Sequence, residues 1–345
     1  MKQHERYDVV VLLLTYNCID KIEKSIQSVL DQTFDKNRIK IVVVDNHSDD
    51  GTYEKLINYV KDDRISVYRL RVKRTPTRLL LSANSFIEYI DYKYLLMFNA
   101  GDELYPNCIE KYTAIMDQYS DMDRRILICE TDIKDECGNI SSQVPVFTEN
   151  CILLKREHYT RFLSNGVGHK IQCFYCRGVL SSNFSELPFI VDYNDWFKKA
   201  LFSFKMGCIY IKDSLSCTLA TKYDNDLYDL ILRFNLVIRL ELTRSSMYSE
   251  ENYKYLDELN SRKLIDQTLS SLALQYALDA QRKSDPAAAN KILLFAEMIN
   301  EDVIKTDLYS KLKYLIGSCT RPESSTNYNT LQQSISPPEG SMIFS

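Results

Sequence analysis

Tyr7-Asp-Val-Val-Val-Leu-Leu-Leu-Thr15 and Ile39-Lys-Ile-Val-Val-Val-Asp45 are the two stretches whose reading decides the fold. Both are continuous apolar runs, the pattern of strands buried on both faces. Between them Ile22, Ile26, Val29 and Leu30 recur at helical spacing. Downstream, Asp50-Gly-Thr52 leads into a helix over the segment EKLINYVKD, Ile65–Leu70 reads as a third strand, Leu79–Ile90 as a third helix and Tyr92–Phe98 as a fourth strand. This alternation predicts an α/β fold with a mostly parallel sheet flanked by helices on both faces. Ligands of such sheets bind beyond the carboxyl ends of the strands. That rule singles out Thr15-Tyr-Asn17, Asp45-Asn-His-Ser48 and Asn99-Ala-Gly-Asp-Glu103.

Bulk composition narrows the class. The 345 residues are 45% hydrophobic and 26% charged, as in globular chains. A formal charge of −4 argues against a protein that coats nucleic acid, because such binding runs on neutralised phosphates. The apolar run near Met1 is too short to cross a membrane, so the chain is expected in the cytoplasm. Ten cysteines are scattered along the sequence, several inside apolar runs where a reduced thiol acts as a small hydrophobe. Cys173-Phe-Tyr-Cys176 is a lone CxxC. A structural zinc would need two further ligands, and the segment reads as a buried strand.

After residue 105 the pattern loosens. Cys108–Tyr119 reads as a helix, Ile126–Asp132 as a strand, and Asp135-Glu-Cys-Gly-Asn139 as a hairpin turn. Asn165-Gly-Val-Gly-His169 reads as a mobile loop, Asp192–Phe204 as an amphipathic helix, and IYIKD and SCTLA as short strands. Helical spacing runs from residue 226 to 318. Its apolar faces, interleaved with arginine and lysine, fit a bundle packed on the rest of the chain, a dimer contact or a membrane surface. Residues 319–345 are polar and rich in Pro and Ser, the composition of a disordered tail.

The strand-end residues carry usable chemistry. Asp45 and Asn46 can hydrogen-bond a base or ribose, and Tyr16 can stack on a flat ring. Asp102 and Glu103 offer hard oxygen ligands for a divalent cation that would neutralise a diphosphate. The same acids also serve as helix caps and turn formers.

At these residues the sequence resembles family 2 glycosyltransferases. Leu12-Leu-Leu-Thr-Tyr-Asn17, Ile26-Gln-Ser-Val-Leu-Asp-Gln-Thr33 and Ile41-Val-Val-Val-Asp-Asn-His-Ser-Asp-Asp-Gly-Thr52 are similar to the family's opening motifs. Ala83-Asn84 and Asn99-Ala-Gly-Asp-Glu103 follow in order, the latter where the family carries its acidic metal-binding segment. Val191-Asp-Tyr-Asn-Asp-Trp-Phe-Lys198 and Gly207-Cys-Ile-Tyr-Ile211 resemble its acceptor-side motifs.

The resemblance covers residues 7 to about 222. It implies a GT-A fold over 1–225, with a donor half to about 104 and an acceptor half from 105 to 225, then a helical domain over 226–318. It implies inverting transfer from a nucleotide-sugar, a UDP-sugar first, to a glycan or lipid-linked glycan, with Mn²⁺ or Mg²⁺ as cofactor. Asp192 falls at the catalytic base, with Asp195 as its fallback one helical turn on. Leu14, Thr15, Tyr16, Asp45, Asn46, Asn99, Ala100 and Gly101 fall at donor-binding positions, and Asp102 beside the metal position. Arg78 is the favoured basic partner of the diphosphate, ahead of Lys73 and Arg74. His169 and Trp196, with Asp195, fall on the acceptor side.

Two departures stand out. The segment reads Asn99-Ala-Gly-Asp-Glu103, so Gly101 sits where the family's metal ligand is usual and Asp102 comes one residue late. Ala83 replaces an arginine. They keep a second reading open, that of a GT-A-type binding or scaffold subunit without turnover. A nucleotidyltransferase is disfavoured, since no glycine-rich phosphate loop follows the first strand.

Overall fold

The computed structural model describes residues 7–74, 76–120, 125–135, 137–153, 171–177, 207–219, 261–318, 334, 336–337 and 341–344. In the first half the elements run β1 (Tyr7–Thr15), α1 (Ile22–Leu30), β2 (Ile39–Asp45), α2 (Thr52–Leu56), β3 (Ile65–Arg69), α3 (Pro76–Ile87) and β4 (Tyr92–Asn99). Then come β5 (Glu103–Leu104), α4 (Cys108–Gln118), β6 (Arg125–Glu130), β7 (Asp132–Lys134), β8 (Ile140–Ser141) and β9 (Asn150–Leu153). The described remainder holds β10 (Ile171–Cys176), β11 (Gly207–Ile211), β12 (Ser216–Leu219), α5 (Ser261–Arg282), α6 (Pro286–Ile299), α7 (Asp307–Ser318) and β13 (Met342–Phe344).

Nine of the described strands form the main sheet in the order β13-β9-β11-β6-β10-β4-β1-β2-β3. The half read from the opening stretches is parallel as expected, with β1 between β2 and β4 and β3 beyond β2. The other half is mixed. β10 enters antiparallel between β4 and β6, β11 lies parallel to β6, and β9 lies antiparallel to β11. Continuous apolar sequence shows that a strand is buried, not which way it runs. The lone CxxC lies on β10, with Cys173 buried, in keeping with the strand reading.

Each face of the sheet has its own core, because alternate side chains of one strand point to opposite sides. Val9, Val11, Leu13, Ile41, Val43, Leu96 and Phe98 pack with Ile22, Ile26 and Val29 of α1 and Ile109, Tyr112 and Met116 of α4. Val10, Leu12, Val42, Val44 and Leu95 pack on the other side with Leu79, Ala83 and Ile87 of α3. That second core runs on into Leu269, Leu272, Ala273, Ile292, Leu293, Leu308 and Leu312 of α5–α7. Each such valine, leucine, isoleucine, phenylalanine or methionine taken from water contributes about 1.5–3 kcal/mol. The described part of the C-terminal helical region is therefore core of the same body. Asp285 begins α6 by accepting the Ala288 N–H, with Pro286 in the first turn, where its missing N–H does no harm. No described helix is long and apolar enough to cross a membrane.

The tail corrects one expectation. Met342–Phe344 lies within the stretch expected to be disordered, yet it pairs antiparallel with Asn150–Ile152. Phe344 packs 5.5 Å from the Tyr119 ring. An open sheet edge offers unpaired N–H and C=O groups to any short apolar strand, and composition alone cannot show that the edge is there.

A candidate donor site at the strand ends

Strand register gathers the motifs. Thr15 lies opposite Asp45, Leu14 opposite Asn99, and Asp45 opposite Arg69, so the carboxyl ends of β1–β4 form one edge. Backbone bonds lock their exits together. The Asn46 N–H donates to the Thr15 carbonyl at 2.8 Å, and the Ala100 N–H to the Leu14 carbonyl at 2.9 Å.

Asp45 is fully buried. It accepts the Ser48 hydroxyl at 2.5 Å and the Ser48 N–H at 3.0 Å, and the Arg69 guanidinium stands 3.7 Å away. The Ser48 hydroxyl in turn accepts the Asn17 N–H at 3.0 Å. Asn17, at φ 47°, exchanges side-chain and backbone bonds with Asp49. The two loops are thus one hydrogen-bonded unit.

Asp50 accepts from the Ile19 N–H, the Thr52 N–H and the Thr52 hydroxyl. Desolvation pushes its carboxyl up, but these bonds outweigh it and hold it below the ordinary carboxylate value. Gly51 adopts φ +92°, and a Cβ there would meet Ile19 at 2.9 Å, so the turn into α2 needs glycine.

Asn46 is nearly buried, and its amide grips the loop after β3. Its Nδ2 donates to the Arg74 carbonyl at 2.9 Å and its Oδ1 accepts the Arg74 N–H at 2.8 Å. An amide retains a second N–H and a second lone pair for a base. The clasp brings Lys73 over Tyr16, with Nζ 3.9 Å from the ring centre. Tyr16 is half-buried, its ring beside the strand edge rather than in the core. Thr15 is 3% exposed, and its hydroxyl has no hydrogen-bond partner among the described residues. A buried hydroxyl left unpaired is costly unless a ligand or water completes it.

The 99–102 turn closes the site. Asp102 donates its N–H to the Asn99 carbonyl at 3.0 Å, and Gly101 adopts φ +107°. A Cβ at Gly101 would lie 2.8 Å from Leu219 Cδ1. Glycine at the family's metal position is thus also what the turn and its packing require. Glu103 is taken by Lys134 at 2.7 Å. Among the described residues no three His, Cys, Asp or Glu side chains gather into a cation-holding group. Asp102 alone still fits Mg²⁺ or Mn²⁺, which are commonly held by one or two carboxylates together with substrate phosphates.

The structure thus brings together Leu14, Thr15, Tyr16, Asp45, Asn46, Asn99, Ala100, Gly101 and Asp102 along one edge. The Arg78 side chain, His169, Asp192, Asp195 and Trp196 lie outside the described residues. Asn17 and Ser48 were expected only as members of the strand-end clusters, and Ser25 and Thr218 were not expected at the site. Ser48 had a local signal, an acid three residues before a serine. Ser25 lies on the buried stripe of α1 beside Ile22, Ile26 and Val29, where a hydroxyl must find a partner.

Comparison with known proteins gives the family and the fold. The model of glycosyl transferase family 2 matches residues 10–187, more than half of the chain. A Haemophilus influenzae protein described as an uncharacterized glycosyltransferase is 27% identical over 137 residues, 39% of this chain and 41% of that protein. The crystal structure of S. aureus TarS shares the fold with a TM-score of 0.55 at 15% identity, over 94% of this chain and 55% of that one. Its 1–349 fragment gives 0.50 at 15% identity, over 98% and 99%. The architecture is GT-A-like, and the chain belongs to glycosyl transferase family 2.

Proposed function

We propose that this glycosyltransferase is inverting, and that it moves a hexosyl or N-acetylhexosaminyl group from a nucleotide-sugar, a UDP-sugar first, to a hydroxyl of a glycan or lipid-linked glycan. The observation that carries the reading is the register that lines Thr15, Asp45 and Asn99 along one strand edge. Tyr16 offers a face for the base, with Lys73 near it. Asn46 and the Thr15 hydroxyl supply hydrogen bonds at the same edge. Asp102 stands at the diphosphate end and would hold the cation.

The acceptor oxygen attacks the anomeric carbon from the face opposite the nucleotide, and the bond from that carbon to the diphosphate oxygen breaks. Asp192 takes the hydroxyl proton as attack proceeds. A divalent cation, when bound, offsets the charge that builds on the departing diphosphate. The reading places the protein in surface polysaccharide synthesis in the cytoplasm, or at the inner membrane face. Gly101 and the lone carboxylate of Asp102 favour a second reading, a donor-binding scaffold that performs no transfer.

A thermal-shift panel of nucleoside diphosphates with and without Mn²⁺ tests the donor site. UDP-GlcNAc belongs in it as an N-acetylhexosaminyl donor. A ligand at about 100 times its Kd stabilises the folded state by about 2.7 kcal/mol. We expect a rise in melting temperature with one diphosphate, larger with Mn²⁺. No shift with any nucleotide sinks the donor-site assignment.

A further inference from the structure

The turn that presents Asp102 is held from both halves of the molecule. From the donor half, Ser25 on α1 accepts the Gly101 N–H at 2.9 Å and donates to the Asp102 carbonyl at 2.8 Å. Those bonds fix the backbone. The carboxylate is fixed from elsewhere. Thr218, 116 residues later on β12, donates its hydroxyl to Asp102 Oδ1 at 2.5 Å.

β12 is itself immobilised within a second, four-stranded sheet, β5-β12-β7-β8. It pairs antiparallel with Glu103–Leu104 and parallel with Asp132–Lys134. Its next residue, Leu219, fills the space over Gly101. One strand of the acceptor half therefore covers the glycine that replaces the usual ligand and grips the acid beside it.

We propose that Thr218 is a positioning residue that holds the Asp102 carboxylate in the rotamer from which it serves the donor's cation. The inference rests on the metal-assisted reading given above. Within the turn the Asn99 N–H donates to Asp102 Oδ2 at 3.4 Å, too long to be a firm guarantee of the carboxylate's direction. A hydroxyl on a rigid strand supplies one. Partners of metal ligands commonly set affinity in this way, and their loss costs about 10- to 100-fold in metal affinity or activity.

The test compares Thr218→Val, which keeps the shape and removes the donor, with Thr218→Ser, which keeps the donor. Mn²⁺ binding in the presence of UDP is read from the free-ion electron paramagnetic resonance signal, and melting temperature is read alongside. We expect Thr218→Val to weaken Mn²⁺ by about 10-fold or more and Thr218→Ser to stay within about twofold. Thr218→Ala, which leaves space instead of a methyl, is the second variant should valine not fold, with the same expected loss. Wild-type Mn²⁺ affinity in Thr218→Val, with or without a lower melting temperature, makes the threonine merely structural and overturns the proposal alone. A wild-type protein that binds UDP but no Mn²⁺ overturns the metal reading and this proposal together.

Discussion

Asp192→Asn is expected to lower kcat by about 10²- to 10⁴-fold, the usual worth of a positioned general base. Asparagine keeps the size of the side chain and its hydrogen bonds but cannot take the acceptor's proton. Affinity for the nucleotide should stay within about twofold, because binding at the strand edge does not involve proton transfer. In the sequence the residue follows the apolar run Leu187-Pro-Phe-Ile-Val191. A general base acts deprotonated, so turnover is expected to fall at acid pH, where a carboxylate takes up its proton. Asp195→Asn is the matched control, and a loss that tracks Asp195 instead moves the base three residues along the sequence. If Asp192→Asn turns over like wild type, this base assignment fails.

Asp45→Ala should be the most damaging change at the edge itself. The carboxylate is fully buried and holds the Ser48 hydroxyl and N–H. Through Ser48 it also holds Asn17 on the neighbouring loop. Hydrogen bonds to a charged group are worth about 1.5–3 kcal/mol each, so truncation should cost about 3 kcal/mol of folding stability. The pairing with Arg69 adds little, since that guanidinium is about a third exposed, at 32%, and 3.7 Å away. Donor affinity should fall with it, because the same bonds set the loop that carries Asn46. Chemical denaturation reads the first effect and UDP titration the second. A loss below about 0.5 kcal/mol, the scale of an ordinary surface change, would show that the two loops do not depend on Asp45.

The parallel half of the sheet was readable because it leaves a local mark. Val9 to Leu13 and Ile41 to Val44 are apolar without alternation, and a strand buried on both faces must be. The acids and amides after those strands were readable for the same reason, since topology alone sends strand ends to one edge. The antiparallel entry of β10 left no mark, because side-chain burial does not encode strand direction. The pairing of Met342–Phe344 with β9 left none either, because its partner lies far off in sequence.

Within the site, Asp45 and Asn46 were found by position. Their observed partners show architecture first: one ties β1 and β2 loops, the other clasps Arg74. Thr218 could not be found by reading along the chain. Only the second sheet brings it beside Asp102. Gly101, which looked like a lost ligand, occupies a backbone conformation and a packing gap that admit no side chain without strain.

We expect this edge to bind a nucleotide-sugar in order to break it. Release of nucleoside diphosphate from a panel of UDP- and GDP-sugars, with Mn²⁺ present and the anomer of the released sugar followed by NMR, tests it most directly. Slow release from one donor is expected, with the sugar first appearing as the anomer opposite to that in the donor and the release lost in Asp192→Asn. A donor that binds and is never cleaved, or a first-formed sugar with retained configuration, would contradict it.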